Sequence, residues 1–115
     1  MVESGELALQ GIRVLDFTWI HAGPSATRIL SDQGAQVIKV EPPWGEAWRH
    51  VQPFSPTESR PFLAFNRGKR SLPLDLTKPA AKDVLTRLVA GADVVLVNYR
   101  PNVVSKLGLD YETLS

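Results

Sequence analysis

The architecture of the chain follows from residues 12–40, which read IRVLDFTWIHAGPSATRILSDQGAQVIKV. This segment opens with a β-branched apolar run at 12–17 and closes with another at 37–40, and both are typical of strands. Between them, apolar residues at helical spacing follow Pro24, which suits a first helical turn, and precede Gly34, which suits a left-handed stop. A strand, a helix and a strand within about 30 residues predict a βαβ unit with a parallel strand pair.

A second unit is predicted further along the chain. Residues 71–76, SLPLDL, predict an edge strand, because Pro73 has no N–H to donate to a neighbouring strand. A helix capped by Thr77 and ended by Gly91 follows. Residues 93–98, DVVLVN, are apolar on both faces, which predicts a central strand.

The segment between the two units, residues 42–68, differs in composition. It holds five of the nine prolines and two of the three tryptophans, which predicts a long Pro/Trp-rich loop that is functional or wraps a partner. A short helical turn is predicted at 62–65. The layout βαβ–loop–βαβ predicts an α/β fold with a partial Rossmann-like parallel sheet and flanking helices over residues 1–115.

Composition narrows the function classes. The 115 residues are 43% hydrophobic and 22% charged, as in one globular domain, and the net charge of +1 gives no reason to expect nucleic acid or an anionic membrane as a partner. The absence of cysteine excludes disulfides, thiolate metal sites and cysteine nucleophiles. No apolar run of about 20 residues and no basic leader is present, so a cytoplasmic protein is expected.

Candidate ligand-binding segments follow the predicted strands. Residues 18–24 lead into a helix N-terminus, which favours an anion, although such a turn also occurs without a ligand. His21 is either a donor to that ligand or an ordinary loop residue. Glu41 stands where a dinucleotide ribose acid would, but the loop has one glycine instead of G-x-G-x-x-G, which argues against NAD or FAD. Asp16, near the end of the first strand, is interpreted as a structural acceptor for loop amides in preference to a nucleophile.

Two basic clusters leave alternatives open. Arg67, Lys69 and Arg70 face phosphates or form a solvated turn. Tyr99, Arg100 and Lys106 provide an aromatic face and two cations suited to an adenine and its phosphates, or else belong to a helix cap with surface charges.

The chain resembles the N-terminal part of the family III CoA-transferases, a group that includes formyl-CoA transferase, carnitine CoA-transferase and the α-methylacyl-CoA racemases. Five phrases in order carry the resemblance: LQGIRVLDFT, AGPSATRIL, DQGAQVIKVEPP, FNRGKRSLPLDL and ADVVLVNYRPNVVSKLGLDYETL. They extend from Leu9 almost to the C-terminus.

The resemblance implies an enzyme that moves CoA from an acyl-CoA to a carboxylic acid through an aspartyl-CoA intermediate. It also implies a Rossmann-like large domain, an interlocked homodimer and no metal. The nucleophilic aspartate is expected beyond Ser115, so no catalytic residue is assigned here. Two alternatives are a segment of an α-methylacyl-CoA racemase-like enzyme and a non-catalytic fragment.

The resemblance also implies CoA-binding residues. Two of them line the thioester end of CoA, and the others contact its nucleotide: Ile20 and His21, then Leu74, Asn98, Tyr99, Lys106 and Leu107. In this chain Pro42 and Thr77 stand where many members have Arg and Lys, which puts two expected phosphate contacts in question.

Overall fold

The computed structural model describes residues 5–56 and 58–115, which form an α/β structure. Within them the strands are β1 (Arg13–Asp16), β2 (Gln36–Glu41), β3 (Arg70–Pro73) and β4 (Val94–Leu96). The α-helices are α1 (Ala22–Asp32), α2 (Arg60–Asn66), α3 (Ala81–Ala90), α4 (Pro101–Leu107) and α5 (Tyr111–Leu114). No helix of the described part has the length and hydrophobicity needed to span a bilayer.

The sheet is parallel throughout, and its strand order is β3-β2-β1-β4. In the first pair, Val14 is aligned with Val37. The predicted βαβ unit over residues 12–40 is therefore confirmed, with α1 as its crossover. The strand order reverses at β1, whose two neighbours are β2 and β4.

Helices cover both faces of the sheet because side chains alternate along each strand. On one face, Val14 and Val37 pack with Leu30 of α1. On the other face, Leu15, Phe17 and Val40 form the larger cluster. That cluster receives apolar side chains from three other helices, namely Leu85 and Leu88 of α3, Val104 and Leu107 of α4, and Leu114 of α5.

The prediction of a central strand at 93–98 is wrong for this chain. β4 pairs with β1 on one side and with no other strand of the described residues, and Val94 is exposed. Its apolar character on both faces does not reveal how many neighbours it has. By contrast, β3 lies at the opposite edge, as Pro73 predicts.

Two helix starts also differ from the prediction. The side chain of Thr77 donates to Asp75 at 2.6 Å and so does not cap α3, which begins at Ala81. In the Pro/Trp-rich segment, the expected turn at 62–65 is part of the longer α2, capped by the side chain of Ser59. A 3₁₀ turn at Ala47–His50 precedes it.

Two glycines with positive φ offer a test of backbone and packing constraints. Gly34 has φ +101°, and a Cβ there would lie 2.5 Å from Leu7 Cβ, whereas Gly11 has φ +88° and open space around it. We expect Gly11→Ala to lower the free energy of unfolding by about 1–2 kcal/mol through backbone strain. Gly34→Ala should cost at least about 1 kcal/mol more, because it adds a steric overlap. Urea denaturation followed by circular dichroism measures the free energy of unfolding of both variants. Equal losses would contradict the additional steric constraint assigned to Gly34.

Candidate functional site

The loop after β1, residues 18–21, is joined to the residues that follow β4; we call it the Trp19 loop. Trp19 N donates to Asn98 Oδ1 at 2.9 Å, and Asn98 Nδ2 donates to Trp19 O at 2.8 Å. The Trp19 and Tyr99 rings meet edge-on with centroids 6.0 Å apart. These contacts lie at the carboxyl ends of β1 and β4, where the strand order reverses and open parallel sheets bind their ligands.

The backbone of the Trp19 loop is strained at Ile20. Its φ is +70°, which is rare for a β-branched residue and costs about 1–3 kcal/mol. The N–H of Ile20 donates to Glu46 Oε2 at 3.1 Å. His21, the residue before α1, makes no side-chain capping bond and packs its ring 4.5 Å from that of Phe65.

Four ionisable side chains lie buried beneath this loop, and we call them the buried charge cluster: Asp16, Lys39, Glu46 and Lys69. Lys69 Nζ lies 2.8 Å from Asp16 Oδ2, and Lys39 Nζ lies 3.6 Å from Glu46 Oε2, with all four side chains at most 2% exposed. Lys39 also donates to the carbonyl of Thr18 at 2.7 Å. Burial raises the pKa of Glu46, and the neighbouring Lys39 opposes this rise. The Lys39–Glu46 pair contacts the loop through hydrogen bonds from Lys39 to the carbonyl of Thr18 and from the N–H of Ile20 to Glu46.

Asp16 accepts several hydrogen bonds at the end of β1. The N–H of Thr18 donates to Oδ1 at 2.8 Å, and the hydroxyl of Thr27 donates to Oδ2 at 2.6 Å. Burial raises the pKa of Asp16, but the charges of Lys39 and Lys69 and the hydrogen bonds from Lys69 and the Thr18 hydroxyl outweigh burial and hold the pKa below its usual value. The structural interpretation of Asp16 as an acceptor for a loop amide is confirmed.

A cleft of about 160 Å³ opens beside the Trp19 loop. Aromatic and aliphatic side chains provide most of its lining: Trp19, Trp44, Tyr99, Val40, Pro42, Leu74, Leu76 and Leu107. Burial raises the pKa of Tyr99 to about 12, so its hydroxyl stays protonated at neutral pH. The cleft therefore suits a planar or apolar group with few charges.

The two carboxylates that line the cleft, Glu41 and Asp75, already accept hydrogen bonds. Glu41 accepts from Arg49 Nε at 2.9 Å and from the hydroxyl of Ser71 at 2.8 Å. Asp75 accepts from Thr77 N at 3.0 Å. Lysine and arginine are absent from the lining, and across residues 5–56 and 58–115 no group of three or more His, Asp or Glu side chains is arranged to hold a metal.

The structure distributes the expected CoA-binding residues over three places. Leu74, Tyr99 and Leu107 line the cleft, whereas Asn98 lies beside it and holds Trp19. Ile20 and His21 are exposed at the end of the Trp19 loop. Lys106 is exposed in a neighbouring depression that shares Leu76 and Leu107 with the cleft.

Several residues of the site escape prediction from the sequence. Lys69 is buried against Asp16, so it is not available to a phosphate, and the basic cluster at 67–70 is not a fully solvated turn. Arg67 instead pairs with Asp32 at the surface. Contacts with residues distant in sequence bring Trp44, Lys39 and Glu46 into the site, and the sequence does not reveal these contacts. The one indication is Lys39 itself, a charged residue inside the apolar run VIKV.

Residues 9–115 match the family described as CoA-transferase family III. The chain belongs to this family. It is 50% identical over 109 residues to the probable fatty acyl-CoA transferase Rv3272 of Mycobacterium tuberculosis, covering 92% of this chain and 28% of that protein. It is 40% identical to the formyl-CoA:oxalate CoA-transferase of Afipia carboxidovorans, covering 93% and 26%. The chain thus spans about a quarter of the length of these curated relatives.

Solved structures agree with this assignment. A crystal structure of Rv3272 from Mycobacterium tuberculosis matches with a TM-score of 0.83 at 50% identity, over 92% of this chain and 29% of that one. A CAIB/BAIF family protein from Brucella suis matches with a TM-score of 0.88 at 39% identity, over 96% and 30%. The α/β fold with a partial parallel sheet is therefore confirmed.

The ion pair between Asp16 and Lys69 can be tested by removing one partner. Lys69→Met should lower the free energy of unfolding by about 3–5 kcal/mol, because it leaves a buried carboxylate without its cation. Adding Asp16→Asn to Lys69→Met should recover part of this loss. Arg67→Met breaks an exposed pair and serves as the control, with little expected effect. Chemical denaturation of the wild type and the three variants measures the free energy of unfolding. Equal losses of this free energy in Lys69→Met and Arg67→Met would contradict the role of the buried pair.

Proposed function

We propose that this chain forms the CoA-binding N-terminal part of an acyl-CoA:carboxylate CoA-transferase. Membership of CoA-transferase family III supports a transferase, and the cleft at the reversal of strand order is the observation that carries the proposal. The adenine of CoA is the planar group proposed for this cleft. Trp19 and Tyr99 supply aromatic surface for it, and Leu74 and Leu107 supply aliphatic surface.

The phosphates of CoA are proposed to lie outside the cleft. Its charged lining residues are Glu41 and Asp75, so a phosphate inside it would face carboxylates. The exposed Lys106 is the cation proposed for a phosphate, because it directly precedes Leu107 in the wall of the cleft. Lysine supplies the charge without the two-pronged geometry of a guanidinium.

The thioester end of CoA is proposed to reach Ile20 and His21. Both residues are exposed, and the Trp19 loop that carries them borders the cleft. The His21 ring would act as a hydrogen-bond donor or acceptor to the thioester region. Asn98 is proposed as the residue that holds Trp19 against Tyr99.

The chemistry of the whole protein belongs to the same proposal. CoA passes from an acyl-CoA to a carboxylic acid through an aspartyl-CoA intermediate, with the aspartate in sequence beyond this chain. The names of the relatives, which are acyl-CoA and formyl-CoA transferases, support this reaction over racemisation. The interlocked homodimer and the cytoplasmic location are proposed on the resemblance and on the sequence pattern alone.

Titration calorimetry of the 115-residue chain with CoA tests the cleft, with NAD as the ligand control. Tyr99→Ala should weaken CoA binding about tenfold, because it removes an aromatic wall of the cleft. Tyr111→Ala is the matched control, since Tyr111 is 81% exposed and does not line the cleft. A folded chain that shows no saturable CoA binding, or equal effects of the two variants, would contradict the proposal.

Lys106→Ala tests the phosphate contact separately. The loss of one charge-assisted hydrogen bond should weaken CoA about tenfold, and the loss should shrink at high salt as the charges are screened. Arg87→Ala removes an exposed cation from α3 and is the control. Unchanged CoA affinity in Lys106→Ala would remove this residue from the site without affecting the assignment of the cleft.

A further inference from the structure

Glu46 is the buried acid of the Pro/Trp-rich segment, and it contacts the backbone of the Trp19 loop at its strained residue. Its Oε2 accepts the N–H of Ile20 at 3.1 Å. Glu46 does not line the cleft, and within the described residues its Oε1 has no hydrogen-bond partner. The acid therefore acts on the loop through a single oxygen.

That oxygen is itself held in place. Lys39 Nζ lies 3.6 Å from Glu46 Oε2 and donates to the carbonyl of Thr18 at 2.7 Å. The N–H of Glu46 donates to Glu41 Oε2 at 3.1 Å, which anchors the backbone of the acid to the end of β2. The same ion pair thus ties the Trp19 loop at Thr18 and at Ile20.

A left-handed isoleucine needs such support. A β-branched residue at φ +70° relaxes toward negative φ unless surrounding contacts oppose it. Relaxation would rotate the peptide between Trp19 and Ile20 and redirect the side chains of Ile20 and His21. If a ligand binds only the left-handed form, its apparent affinity is reduced in proportion to the fraction of chains that remain in that form.

We propose that Glu46 is a positioning residue that keeps Ile20 left-handed and so presents Ile20 and His21 to the thioester end of CoA. The inference rests on the proposed CoA-binding function. In this positioning role, the side chain of Glu46 must be long enough for its oxygen to accept the N–H of Ile20. In a purely structural role, the charge of Glu46 beside Lys39 would matter instead. The two roles respond differently to two conservative substitutions.

Glu46→Asp keeps the charge but withdraws the oxygens by about one carbon–carbon bond, roughly 1.5 Å. Glu46→Gln keeps the length and an acceptor oxygen but loses the charge. If reach matters, Glu46→Asp should be defective and Glu46→Gln should resemble the wild type. If charge matters, the order reverses, and the proposal is overturned.

The first measurement uses no ligand. Amide hydrogen exchange followed by NMR should show the Ile20 amide exchanging about tenfold faster in Glu46→Asp, and within about threefold of wild type in Glu46→Gln. The Phe17 amide, bonded to Leu96 O at 2.9 Å in the sheet, is the internal reference and should not change. Glu58→Gln, at an exposed acid of the same segment, is the control variant. Unchanged Ile20 exchange in Glu46→Asp overturns the proposal.

The second measurement is a CoA titration in two backgrounds. Glu46→Asp should weaken CoA about tenfold when Ile20 is present, and less than about threefold when Ile20→Gly is present, because glycine adopts positive φ without strain. Equal losses in both backgrounds overturn the positioning role. Should Glu46→Gln fail to fold, this cycle still decides, since it uses the charge-conserving variant.

The two measurements separate this inference from the function on which it rests. A wild-type chain that binds no CoA overturns the proposed function, and with it the link to the thioester. The exchange of the Ile20 amide still decides whether Glu46 holds the loop. Normal CoA binding with unchanged Ile20 exchange in Glu46→Asp overturns the inference alone.

Discussion

The ion pair between Asp16 and Lys69 is the interaction on which the rest of the site depends. A carboxylate cannot be buried at the end of β1 without a cation, because its desolvation costs several kcal/mol, on the order of the whole stability of a domain. Lys69 supplies the cation from the turn before β3, and it also donates to the carbonyl of Pro24 at 3.0 Å. One side chain thereby joins the first strand, the start of α1 and the approach to the third strand.

The Trp19 loop gains its fixed shape from this pair and from its neighbours. Asp16 accepts a hydrogen bond from the N–H of Thr18, and Lys39 donates one to the carbonyl of Thr18. Asn98 hydrogen-bonds to both the N–H and the carbonyl of Trp19. The three peptide groups between Phe17 and Ile20 are thus each hydrogen-bonded to a side chain. A loop arranged in advance loses less conformational entropy when a ligand binds.

The sequence predicts what depends on local pattern. The βαβ unit over 12–40 follows from its periodicity and from Pro24 and Gly34, and the edge position of β3 follows from Pro73. The edge position of β4 could not be predicted, because an apolar sequence is compatible with a strand that has either one or two neighbouring strands. The buried roles of Lys69 and Glu46 could not be predicted either, since each depends on partners that only the folded chain brings near. The family resemblance predicts contact positions by motif, but it does not predict the buried acid–base pairs beneath them.

The wide sequence separation of Asp16 and Lys69 has a consequence for synthesis. The two residues are 53 positions apart, so a nascent chain that has extended only as far as β2 contains the buried acid and Lys39 but not Lys69, the lysine in direct contact with the acid. The first βαβ unit then has complete periodicity but lacks one of the two cations that stabilise the carboxylate at the end of its first strand. We expect that unit to dock more stably on the ribosome once the turn before β3 has left the exit tunnel.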